Sequence, residues 1–163
     1  MTNNYREWLQ AAKQAMESNG NDLGRWEAET LVVWLSDNCS CAYCKKSLLA
    51  DRDTTYFGQQ IDHVLPTSKH PEINRDELSN WALACAARNR LKRAWDPNGG
   101  TDEFNSPPIK LLNPSQLSST ERLDFILRAH NYLDKKRAAL EVEFEKEVQV
   151  ISALLSTVKA CGA

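Results

Sequence analysis

Four short runs between Cys41 and Arg93 hold most of the side chains able to do chemistry. They are Cys41-Ala-Tyr-Cys44, Asp62-His63-Val-Leu-Pro66, Asn80-Trp-Ala-Leu-Ala-Cys85 and Asn89-Arg-Leu-Lys92. A histidine with a pKa near ~6.5 can accept a proton at neutral pH, which suits His63 to act as a general base. The carboxylate of Asp62 and the amide oxygen of Asn89 are hard oxygen donors. A magnesium ion needs only one or two such protein oxygens, with water and phosphate completing its shell. Phosphodiester hydrolysis needs these two functions together: an activated water, and relief of negative charge on the phosphate and leaving oxygen. One geometric condition is attached. Adjacent residues of an extended strand point to opposite faces, so Asp62 and His63 can serve one phosphate only where a bend or loop redirects one of them. Pro66 and the loop after it are consistent with such a departure.

The order and spacing of these runs resemble the HNH endonuclease family, whose core is a ββα-metal fold. Its pattern is a first Cys pair, an Asp-His-x-x-Pro strand, an Asn-Leu pair, a second Cys pair, and an Asn or His followed by a Lys. The resemblance covers residues 41–93 and implies a DNA endonuclease. It implies His63 as the general base, and Asp62 and Asn89 as ligands of a catalytic Mg²⁺ or Mn²⁺. Asn80 matches the Asn that hydrogen-bonds within the loop and helps set the position of the base. Products with 5′-phosphate and 3′-hydroxyl ends follow from the same resemblance, with double-stranded DNA as the favoured substrate.

The resemblance also implies a structural Zn²⁺ on Cys41, Cys44 and Cys85, and here the sequence departs from the pattern. A structural zinc normally takes four Cys or His ligands. The partner expected for Cys85 falls at Arg88, and a guanidinium cannot ligate a cation. Three outcomes stay open: Cys39 supplies the fourth ligand, His70 supplies it, or the zinc is lost and the thiols pack as a small apolar cluster. Arg88 also joins Arg90, Lys92 and Arg93 in a basic run that can face nucleic-acid phosphates, against the plainer reading of a solvated helix face.

Bulk properties restrict the alternatives. The chain has 163 residues, a net charge of −2, and 42% hydrophobic residues, enough for a core. An acidic chain does not coat nucleic acid by charge alone. Yet residues 41–95 carry nine Lys or Arg against six Asp or Glu, while residues 1–40 carry three against six. That unevenness suggests one defined phosphate-facing surface. Five cysteines, an odd count with no secretion signal, do not read as a disulfide framework, and the expected compartment is the cytoplasm. No apolar run approaches the roughly 20 residues of a bilayer helix.

The elements that must position these side chains read as α+β and mostly helical: a ββα-metal core with a short β-hairpin, flanked by N-terminal helices and a long C-terminal helix. Residues 1–38 form a helical extension. Tyr5, Trp8, Leu9, Ala12 and Met16 lie at helical spacing, and Trp26, Thr30, Val33 and Trp34 mark a second helix over 24–36. Residues 39–95 form the nuclease module, with strands expected at 54–57 and 60–64 around Gly58 and a partly helical stretch over 76–87. Residues 96–118 are an irregular connection. Residues 119–163 form a final helix, capped by Ser119 or Thr120, with Glu121 and Asp124 near its positive end. Its stripe of Leu123, Ile126, His130, Leu133, Leu140, Phe144, Ile151, Leu154 and Val158 is interrupted by Arg137 and Glu147. Packing over the N-terminal helices is the favoured use of that stripe, with a homodimer or protein partner as the alternative. Two rival functions remain: a non-catalytic zinc-knuckle module binding nucleic acid or protein, and a nuclease subunit of a larger restriction or phage-defence complex.

Overall fold

A computed structural model describes residues 5–19, 27–99 and 107–161, with side chains described as far as residue 154. Helices α1 (Tyr5–Ser18) and α2 (Ala28–Ser36) pack together through Ala12, Ala28 and Val32, bordered by Trp8, Leu9 and Met16. Trp26 lies outside the described residues. Val33 and Trp34 turn the other way, into the main core with Tyr43, Leu48, Leu65, Leu83 and Phe125. Two apolar faces on one short helix explain why α2 joins the N-terminal extension to the rest.

After α2 the chain reverses tightly. Asn38, Cys39 and Lys45 all take positive φ, a left-handed backbone in which Asn is enriched. The Cys41 N–H donates to Lys46 O, and the Lys45 N–H donates back to Cys41 O, both at 2.9 Å. These bonds fold residues 41–46 into a knuckle. The Ala42 N–H then donates to Leu83 O at 2.7 Å and fixes the knuckle to the sheet.

Of residues 54–57, expected as a strand, 54–56 belong instead to a short helix, α3 (Arg52–Tyr56), and Phe57 is its C-cap. The reason is Asp51, an N-cap whose carboxylate accepts from the Thr54 backbone N–H at 2.7 Å and from its hydroxyl at 2.9 Å. The cap outweighs the strand preference of Thr54 and Thr55. Gly58 ends the turn where an added Cβ would stand 2.9 Å from Thr54 Cα and O, so the backbone approach itself requires glycine.

The sheet has two antiparallel strands, β1 (Gln59–His63) and β2 (Trp81–Cys85), in register from Gln59 opposite Cys85 to His63 opposite Trp81. The second strand therefore comes from within the stretch expected to be partly helical. Trp-Ala-Leu-Ala-Cys is buried at its three central positions, so it lacks the polar alternation that marks a half-exposed strand. A single 3₁₀ turn, Leu78–Asn80, leads into it, capped by the Glu77 carboxylate on the Ser79 N–H. Helix α4 (Ala86–Lys92) follows β2 directly and packs against the pair, completing a strand–strand–helix unit.

The last helix, α5 (Ser119–Cys161), begins one residue earlier than expected for its cap. Ser118 and Glu121 form a capping box: Ser118 Oγ accepts from the Glu121 N–H, and the Glu121 carboxylate accepts from the Ser118 N–H at 2.8 Å. The carboxylate also takes the Leu112 N–H at 2.7 Å, which ties down the irregular connection. Phe125, Ile126, Ala129 and Leu133 are buried, each contributing about 1.5–3 kcal/mol for the larger side chains. Arg122 adds a polar tie. Its Nη2 donates to Asp37 at the end of α2 and to Trp81 O, at 2.9 and 2.8 Å, while Asp37 also accepts from the Leu83 N–H. The first half of the stripe packs chiefly on α4 and the 3₁₀ turn and not, as expected, over the N-terminal helices; it reaches α2 through the shared core and the Arg122–Asp37 tie. Leu123 on the outer side, and Leu140, Phe144, Ile151 and Leu154 further along, are exposed. Val158 lies beyond the described side chains. Among the described residues no helix is long and apolar enough to cross a membrane.

Candidate metal and catalytic site

The knuckle and the start of α4 bring three thiols together. Cys41, Cys44 and Cys85 place their Sγ atoms within 4.8 Å of one another, a group able to hold a metal ion. Cys44 and Cys85 are 3.9 Å apart. A tetrahedral zinc with Zn–S bonds of about 2.3 Å has S···S edges of roughly 3.8 Å, so the donor set fits that ion. Cys41 is fully buried, and the other two are half-buried. Hydrogen bonds from Cys41 and Cys85 pull the Cys44 thiol far below its ordinary pKa, and the Arg88 charge acts in the same direction. Cys41 moves far upward, through its hydrogen bonds with Cys44 and Cys85 and through burial. Neither proposed fourth ligand joins the cluster. Cys39 is not among the grouped sulfurs. His70 is held between two carboxylates, with Nδ1 3.2 Å from Glu72 and Nε2 3.0 Å from Asp96.

Arg88 lies three residues after Cys85, one turn along α4, where the sequence pattern predicts a further ligand. Its side chain is buried and its Nη2 meets Asp134 of α5 at 2.6 Å. Its Nη1 is buried with no hydrogen-bond partner. Asp134 also faces His130 Nε2 at 3.3 Å. The basic run is therefore divided. Arg88 and Lys92 point inward and are engaged by Asp134 and Asp62, so they do not face phosphates in this arrangement. Arg90 and Arg93 are exposed and remain available for that contact.

Asp62 faces the helix side of the sheet. Its Oδ2 accepts from the Tyr43 hydroxyl at 2.5 Å and pairs with Lys92 Nζ at 3.0 Å. The Lys92 ammonium is fully enclosed and also donates to His63 O at 2.6 Å. Burial, and then the neighbouring Asp62 carboxylate, push the Tyr43 hydroxyl well above its ordinary pKa, so it stays a donor. Asn89 reaches the same face: its Nδ2 donates to Gln60 Oε1 at 2.7 Å, and Gln60 precedes Asp62 by two residues on β1.

His63 leaves the other face. It lies opposite Trp81 in the register, and the two rings meet edge to face at 6.5 Å. His63 Nε2 is 3.0 Å from Arg75 O, which also accepts from Trp81 Nε1 at 2.8 Å. A carbonyl oxygen can only accept, so Nε2 carries a proton and the lone pair of the neutral ring is on Nδ1. Asn80 is wholly buried in the loop after His63. Its Oδ1 accepts from the Leu65 N–H at 2.8 Å and its Nδ2 donates to Leu65 O at 3.0 Å. The Val64 N–H donates to Asn80 O at 2.7 Å.

The structure thus brings Asp62 and Asn89 to one face and ties Asn80 to the segment beside His63. Among the described residues no hydrogen bond joins His63 to Asp62 or Asn89. Tyr43 and the Arg75 carbonyl are contributors that the sequence reading missed. Tyr43 stood inside the knuckle motif without a chemical reason to be singled out, and a backbone carbonyl leaves no mark in a sequence. No protein-family model, curated protein or solved structure matches this chain.

Proposed function

We propose that the chain is a metal-dependent nuclease of the HNH type, acting on the phosphodiester backbone of DNA, with a structural zinc on its three thiols. The observation that carries the reading is the arrangement around His63. A backbone carbonyl fixes its Nε2 proton, and Nδ1 is left as the atom able to take a proton from water. Asn80 supports that geometry by holding both polar groups of Leu65, two residues beyond the base.

Asp62 and Asn89 would hold the catalytic ion. Tyr43 and Lys92 both meet Oδ2 of the Asp62 carboxylate, so Oδ1 would face the cation, with the Asn89 amide oxygen as the second donor. When bound, Mg²⁺ or Mn²⁺ supplies charge relief at the phosphate and leaving oxygen. Asp62 and His63 lie on opposite faces of β1, so the reading requires the phosphate to reach both at the strand end, where the sheet stops at His63. Arg90 and Arg93, exposed on and just after α4, would hold flanking phosphates. With Mg²⁺, purified protein should nick supercoiled plasmid DNA, and excess EDTA should stop it. A protein inert in both Mg²⁺ and Mn²⁺ would remove the proposal.

One observation favours a second reading. Asp62 already has an internal cation in Lys92, and the His63 ring leaves the opposite face. A chain that used these residues only for structure would be a zinc-knuckle binding module. The plasmid assay separates the two, because such a module would shift DNA mobility without cutting.

A further inference from the structure

We propose that the zinc of this knuckle is held by three thiolates only, and that its fourth coordination position is a binding site for a small monodentate anion, hydroxide included, clamped by Arg88. The inference rests on the zinc reading above and goes beyond it by assigning a ligand to the site.

Three observations carry it. Among the described residues the cluster has three sulfurs, since Cys39 is not grouped with them and His70 is engaged by Glu72 and Asp96. Arg88 occupies the place in α4 where a fourth ligand would stand, but it cannot coordinate. Its guanidinium is held through Nη2 by Asp134, while Nη1 is enclosed with no acceptor. An orphaned buried cationic N–H is costly, and an anionic acceptor on the metal would offset that cost. Charge balance allows it. Three thiolates and one monoanion on Zn²⁺ sum to −2, the same as four thiolates, and the Arg88 charge beside them offsets one unit of it. Access is available, because Cys44 and Cys85 are only half-buried. A fourth position taken by an outside ligand would let a zinc that ties the knuckle to β2 also bind an anion, whereas a site of four protein ligands is closed to one.

Cobalt substitution reads this without any activity assay. The full chain is purified, its metal content is measured, Co²⁺ is exchanged into the site, and visible spectra are recorded while azide is added as the probe. The expected result is one ion per chain, thiolate-to-cobalt absorption of three sulfurs, and d–d bands that shift saturably with azide. Arg88→Gln should weaken azide binding by about tenfold or more, the loss of one charge-assisted hydrogen bond. Arg88→Cys should give four-thiolate intensity and no azide response. A wild-type chain that holds the metal but ignores azide overturns the open position and leaves the zinc reading standing. A chain that holds no metal overturns both.

Discussion

Replacing Asn80 by alanine should be among the most damaging single changes in this protein. The side chain is wholly buried and makes two hydrogen bonds to one residue, accepting from the Leu65 N–H and donating to Leu65 O. Leu65 is itself buried, so truncation leaves a donor and an acceptor with no route to water. Each orphaned group costs about 1–3 kcal/mol, giving roughly 2–6 kcal/mol in all. Against a total stability of about 5–15 kcal/mol for a domain, that is a large fraction. Urea unfolding followed by tryptophan fluorescence would read it. With a slope of about 1–3 kcal/mol per molar, the midpoint should fall by roughly 1–3 M. Asn80→Asp keeps an acceptor for the Leu65 N–H but turns a second oxygen toward Leu65 O, so it should not rescue the fold at neutral pH. A midpoint within about 0.3 M of wild type for Asn80→Ala would refute the argument, because it would mean that water reaches Leu65 in its place.

The other elements give further tests. Lys92→Met leaves the Asp62 carboxylate beside Tyr43 without its cation and should cost about 3–5 kcal/mol by chemical denaturation, much of it regained in the double variant with Asp62→Asn. Glu121 should confer a pH dependence. Burial pushes its carboxyl up, but the hydrogen bonds from Ser118 and Leu112 outweigh this and hold it below its ordinary value of 4.5. A folded pKa below the unfolded one means stability present above that value and lost as pH falls through the lower, folded one. The difference in thermal midpoint between wild type and Glu121→Gln should therefore be constant near neutral pH and shrink below pH 4.5. Removing the knuckle metal with a strong chelator should lower the thermal midpoint of wild type and have no effect on Cys44→Ser, since binding energy at a structural site is folding energy.

Much of the candidate site was legible because its chemistry resides in residue types at fixed offsets. Cys41, Cys44 and Cys85 meet although 44 positions separate the first from the last, and Asn80 forms its loop bonds as its position in the motif suggested. The strands were less legible. Thr54 and Thr55 look like strand residues until the Asp51 cap is taken into account, and residues 81–85 carry no alternation because the sheet is covered. The direction of charged side chains was hidden for a different reason. Lys92 and Arg88 read as phosphate contacts, but Asp62 and Asp134, distant in sequence, draw them inward. Only the fold reveals such pairings. The stripe of α5 is continuous in sequence, yet the core extends only to about Leu133, so half of it remains exposed.

The role of His63 is open to the most direct measurement. In Mg²⁺, His63→Ala should cleave plasmid DNA at least about 10²-fold more slowly than wild type, with an unchanged unfolding midpoint and unchanged DNA binding, as befits loss of a general base. Equal cleavage rates for the two proteins would contradict the account.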